Sequence, residues 1–214
     1  MDRIRIQPPG MVCGDLTPFL PPQVLEIHVQ LICGRLAAEL NMLLDGYPEM
    51  YGMDAAEIYS RVGVFPRVLR EDVRFAAGGI VSHEYFFRYL SPSGGQRIPD
   101  SRSAAALRRS FGSSDSFFYI FREEAQRMKH GGFLWLCLEQ HARHRFLRLI
   151  PVQGYELPLP LTPILALDLW EHAYISTYGG DRRAYADAFL RQLDWENIGK
   201  MLGDTGDMRQ NSAI

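Results

Sequence analysis

The sequence predicts an α+β protein, with helices gathered before Pro92 and short strands mixed with helices after it. Three observations carry this. Two long stretches place apolar residues at helical spacing: Leu25, Val29, Ile32, Leu36, Leu40 and Leu43 in the first, and Val73, Ala76, Ile80, Phe87 and Leu90 in the second. Three apolar runs of strand length follow later, Phe133–Leu138, Arg145–Val152 and Leu161–Leu167. Ser91-Pro92-Ser93-Gly94-Gly95 separates the two halves and is the clearest linker in the chain.

Residues 1–20 are rich in proline and glycine and read as an irregular arm. Pro21-Pro22 can open the first helix, because a missing N–H is harmless where the first amides lack partners anyway. That helix is expected from Gln23 to about Leu44, until Gly46-Tyr47-Pro48 breaks the chain. Asp54 and Glu57, three apart, form a capping box for a short helix to Arg61. After Val64-Phe65-Pro66 a long helix is expected from about Arg67 to Leu90. Past the linker, Ser101 to Arg109 reads as a helix, and Ser114 or Asp115 caps another to about Lys129. Gly131-Gly132 introduces the first strand. Helices over Glu171–Tyr178 and Arg182–Leu193 follow the third strand, and the tail after Gly203 is expected to fray.

The 214 residues, 47% of them hydrophobic, suffice to bury a substantial core. A net charge of −2 with both signs interspersed excludes a basic face for nucleic acid or anionic lipid. Cys13, Cys33 and Cys137 are odd in number and widely spaced, which fits neither a disulfide framework nor a zinc ribbon. The N-terminus has no apolar signal core, and no run approaches the roughly 18 apolar residues of a membrane span. A cytoplasmic protein without membrane or nucleic-acid partner is the expectation.

The chemistry concentrates in Leu165-Ala166-Leu167-Asp168-Leu169-Trp170-Glu171-His172-Ala173-Tyr174. Asp168 and His172 are four apart, so on a strand-to-helix turn both can reach one point. A carboxylate and an imidazole in apolar surroundings suit a transition metal, although such a pair is more often a hydrogen-bonded core pair. His28 and His83 each lie on the core stripe of a long helix, where a lone histidine is usually a satisfied core residue. Two such helices packed antiparallel could bring both imidazoles together. Glu139, His141, His144, Arg143 and Arg145 read as a solvated hairpin, and Cys33 and Cys137 as core thiols.

Five separated motifs decide among these readings. They are Leu25-Glu26-Ile27-His28 with Asn41; Ala77-Gly78-Gly79-Ile80-Val81-Ser82-His83 with Phe86; Phe111-Gly112-Ser113 with Asp115 and Phe117; Gly131-Gly132-Phe133-Leu134-Trp135-Leu136; and Leu167-Asp168 with Trp170-Glu171-His172-Ala173-Tyr174. In this order and spacing the chain resembles the iron/manganese superoxide dismutases, from about Pro22 to Leu202. The resemblance implies an N-terminal antiparallel helical hairpin domain (residues 1–92). It also implies a C-terminal α/β domain (93–214) with a small three-stranded antiparallel sheet, flanking helices, and the metal site between the two domains. It implies manganese or iron held by His28, His83, Asp168 and His172, superoxide as the small-molecule substrate, and a homodimer. Three neutral imidazoles and one carboxylate would leave a divalent ion with a single positive charge.

In the family a glutamine bonds the solvent at the metal. The iron-type position falls on Gly79 and the manganese-type position on Gln153, which favours manganese. Glu171 matches a residue that reaches the partner subunit's ligand histidine. Trp170 and Trp135 match the aromatic shell, and Arg182 an arginine near the substrate channel. Ile32 and Leu36 stand where the family carries a gateway histidine and tyrosine, so the donors that would relay protons are missing. Tyr174 would then lose its partner across the dimer. Phe133 replaces a tryptophan that would bond the glutamine, and Phe87 stands where another tryptophan is common. The cage is kept while the funnel above it turns apolar. Beside a dismutase, two readings therefore stay open: an oxidase or oxygenase of an organic molecule in an apolar pocket, and a non-catalytic structural homologue.

Overall fold

The computed structural model describes residues 16–92, 101–141 and 144–207. The proline-rich arm up to residue 15, Cys13, most of the linker and Arg143 lie outside them. Proline opens the first helix as expected: α1 spans Pro22–Glu26 and runs unbroken into Ile27–Cys33 and then α2, Gly34–Leu43. The middle segment is a π-helix rather than the expected α-helix, with the Gly34 N–H reaching back five residues to the Val29 carbonyl. Such wide turns concentrate at functional sites because they re-aim side chains that an α-helix would space regularly. Contrary to expectation, the run from Pro22 to Gly46 is long and apolar enough to cross a membrane. Its inner face nevertheless carries His28, Leu36 and Leu40 into the core.

Helix α3 (Ala55–Ser60) begins with the predicted capping box. The Asp54 carboxylate accepts the Glu57 N–H at 2.8 Å, and the Glu57 carboxylate accepts the Asp54 N–H at 3.0 Å. Helix α4 spans Arg70–Phe87 and starts three residues later than expected, because Pro66 to Leu69 form a turn closed by the Leu69 N–H on the Pro66 carbonyl. Residues Ala76–His83 are all buried, since α2, α3 and the sheet enclose α4.

After the linker come α5 (Ser101–Phe111) and α6 (Ser114–Arg127). Ser113, one residue before the expected cap, accepts the Ser116 N–H at 3.0 Å and starts α6. Three strands follow, β1 (Gly132–His141), β2 (His144–Gln153) and β3 (Thr162–Asp168), in the antiparallel order β2-β1-β3. Central β1 is buried on both faces from Phe133 to Leu138, which explains its continuous apolar run; edge strand β2 is largely solvated. Helices α7 (Glu171–Tyr178) and α8 (Arg182–Gln192) fall where the sequence places them.

The C-terminal tail differs from expectation, for a further helix, α9, covers Trp195–Asp207. Asp194 accepts the Asn197 N–H at 3.0 Å at its start, and the buried Trp195 anchors it.

Candidate metal centre

Asp168 is the last residue of β3, opposite Phe133 on β1, and His172 lies one helical turn beyond it on α7. The Trp170 N–H donates to Asp168 Oδ1 at 2.8 Å, which turns Oδ2 inward. Around Oδ2 stand three imidazole nitrogens: His172 Nε2 at 3.1 Å, and the Nε2 atoms of His28 and His83 at 3.4 Å each. The four ligand-type atoms all lie within 4.8 Å of one another. A single ion about 2.1 Å from each would hold its neighbouring ligands roughly 3–4 Å apart, so the spacing suits a metal.

Hydrogen bonding sets the chemistry of this cluster. His28 Nδ1–H donates to the Val24 carbonyl at 2.9 Å, and His83 Nδ1–H to the Gly79 carbonyl at 2.7 Å. A carbonyl can only accept, so in each neutral ring the proton sits on Nδ1 and a lone pair on Nε2. Both Nε2 atoms are buried without a hydrogen-bond partner, facing a carboxylate oxygen that also carries only lone pairs. That arrangement is repulsive unless a cation lies between them, and the donor set suits manganese or iron.

The electrostatics point the same way. Burial lowers the pKa of His28, only partly offset by the nearby Asp168 carboxylate. Burial also works against the charged form of His172, but the charge and hydrogen bond of Asp168 outweigh it and raise its pKa. Burial alone would push the Asp168 carboxyl up, yet His172 first, then His28 and His83, hold it well below the usual carboxylate range. His28, His83 and Asp168 are completely buried, whereas the His172 side chain is 20% exposed, so solvent meets the cluster over His172.

The walls are aromatic and aliphatic. Phe86 stacks on His28 and Phe87 meets it edge-on; Phe133 meets His83 edge-on, and Trp170 lies parallel to His172. Trp135 stands one layer further out, against Phe133 and Tyr85. Leu36 is buried, its methyl groups 2.7 and 3.1 Å from where a Gly79 Cβ would be, and Ile32, one turn earlier, is half-buried.

One expectation needs correction. Gln153, expected at the metal, is exposed at the end of β2 in a groove shared with Lys129 and His130. Gly154 (φ +63°) turns the chain there, and Tyr155 rather than Gln153 faces inward, its ring against His83, Phe133 and Trp170. Burial first, and the charge of Asp168 second, raise the pKa of this phenol. Tyr174 is buried, and within the chain its hydroxyl accepts a hydrogen bond from Arg182 Nε at 2.9 Å, while Arg182 Nη1 donates to the Met128 carbonyl.

Glu171 is exposed at the start of α7. Glu139 pairs with His141 at 2.9 Å and Arg148 at 3.0 Å on the exposed hairpin. Tyr155 had no motif to announce it; the available signal was a glycine right after a strand, with an aromatic next to it.

Comparison with known proteins agrees with the geometry. Residues 99–201 match the C-terminal domain of the iron/manganese superoxide dismutases. Along most of its length the chain is similar to manganese superoxide dismutases of Bordetella pertussis (32% identity over 191 residues, 86% of this chain and 87% of the relative). Those of Listeria monocytogenes (29% over 187 residues, 86% and 90%) and Thermus thermophilus (28% over 181 residues, 85% and 88%) are similar too. A buried three-histidine, one-carboxylate cluster and this likeness lead to one conclusion: the chain belongs to the iron/manganese superoxide dismutase family and is a metal-dependent oxidoreductase that uses manganese or iron.

Proposed function

We propose that this protein converts superoxide to dioxygen and hydrogen peroxide, with the metal held by His28, His83, Asp168 and His172. The observation that carries the reading is the pair of buried, unpartnered Nε2 lone pairs aimed at a carboxylate oxygen. When bound, the ion supplies one-electron redox chemistry between its divalent and trivalent states. The chain does the rest. One carboxylate against three neutral rings leaves the ion's charge incompletely neutralised, which draws in a small anion. The Val24 and Gly79 carbonyls and the Trp170 N–H fix the donor atoms in advance. The aromatic walls keep water out, and superoxide approaches over His172.

Manganese is favoured because the relatives above carry that metal in their names; Gln153 no longer speaks for it. The packing of Leu36 and Tyr155 against Gly79 supports a small anion over an organic substrate, since it fills the wall beside His83. Two domains, 1–92 and 93–214, with the site between them suit ligands drawn equally from both sides of the linker. A homodimer suits the exposed Glu171 and the apolar residues around it. Cytoplasmic residence rests on the sequence expectation alone.

Metal analysis beside superoxide consumption tests the reading. Stoichiometric manganese or iron is expected, and Asp168→Ala should lose the metal and at least about 100-fold of the activity, more than the loss of an outer-shell partner costs. Purified protein without manganese or iron, or an Asp168→Ala variant that keeps its metal, would overturn it.

A further inference from the structure

The wall around the cluster consists of Leu36, Phe86, Phe87, Phe133, Trp170 and Tyr155. An anion that enters such a wall gives up its hydrogen bonds to water, and a buried charge without donors is costly. Among the described residues the Tyr155 hydroxyl has no hydrogen-bond partner, although the side chain is buried and its ring packs against His83.

The surrounding loop holds that ring firmly. Gly154 turns the chain into the left-handed region, and the Tyr155 carbonyl sits so close to Gly78 that any side chain there would overlap it. Tyr59 fixes the next two residues, its hydroxyl donating to the Glu156 carboxylate at 2.6 Å and accepting the Leu157 N–H at 3.2 Å. A Gly79 side chain would overlap a Leu36 methyl at 2.7 Å and press on the Tyr155 ring at 3.3 Å, so the helix runs close to this phenol. These restraints hold the phenol in one place beside His83, and its hydroxyl, which is not sealed from solvent, is free to donate to an anion that reaches this wall.

We propose that Tyr155 is the hydrogen-bond donor of this site, orienting a small oxygen anion beside His83. The inference rests on the metal reading above. Neither position expected to supply a glutamine does so, because Gln153 is exposed and Gly79 offers no side chain. Among the described residues a competing donor beside the cluster is the Trp170 indole, whose Nε1 is buried without a partner.

The test uses manganese-loaded protein and azide as the probe anion, followed optically. Tyr155→Phe should keep its metal and its melting temperature while binding azide about tenfold more weakly, the value of one charge-assisted hydrogen bond. Should Tyr155→Phe fold poorly or lose metal, Tyr155→His, which retains a donor, is compared with Tyr155→Leu; tighter azide binding by the histidine variant is expected, and equal binding overturns the proposal. Equal azide affinity in wild type and Tyr155→Phe, metal-loaded wild type that binds no azide, or a loss seen only in Trp170→Phe also overturns it while leaving the metal reading intact. Wild type without metal overturns both.

Discussion

One hydrogen bond to a main-chain carbonyl decides which nitrogen of His28 or His83 can serve as a ligand. Because each carbonyl lies four residues back on the same helical run, the choice is local and survives changes elsewhere. The same burial that shapes these rings silences the nearby thiols. Desolvation, aided by Asp168, pushes Cys33 up to about 12, and desolvation pushes Cys137 to about 12. In native protein at about pH 8, iodoacetamide should therefore leave both unmodified, with full labelling after denaturation; peptide mapping by mass spectrometry reads the result. At this scale the four ligand-type residues were legible, because each sits in a local motif that names it. Tyr155 and Gln153 were not. Their exchange depends on the positive φ of Gly154, a conformation that glycine permits but that no neighbouring residue type demands.

Elements follow their local signals where capping decides and depart where packing decides. The Asp54–Glu57 box set the start of α3, whereas the widening of Ile27–Cys33 left no mark in an apolar pattern that an α-helix would also satisfy. Helix α9 has a weak local signal because its glycines, Gly203 and Gly206, favour fraying; the anchor is tertiary, the burial of Trp195. Helix α4 carries the tightest constraint, its Gly78 lying against the backbone of the loop that holds Tyr155. Gly78→Ala should cost about 3 kcal/mol, since a backbone cannot yield as a flexible side chain can. That corresponds to roughly 6–12 °C in melting temperature for a chain of this size, measurable by calorimetry.

The molecule as a whole leaves an apolar surface beside the centre. Leu31 is 64% exposed and Ile175 48%, and the π-helical segment and α7 that carry them are in contact. Glu171 is exposed one turn before Ile175 on the same helix. The proposed homodimer would bury this patch, so the wild type is expected to sediment as a dimer at micromolar concentration and Leu31→Lys as a monomer. The sheet's antiparallel pairing could be expected from a hairpin and a familiar motif order. The approach of α4 to β3 follows from the motifs only through the shared ligands His83 and Asp168; the apolar pattern of either element alone does not specify it.

Asp168 ends a strand, His83 rides a helix packed on that strand, and neither touches solvent. An ion seated among these side chains is walled in on the helix and strand sides, so its path out, like the path in, lies over the partly exposed His172. Exchange of one metal for another should therefore be set by that single open side rather than by the packing behind it.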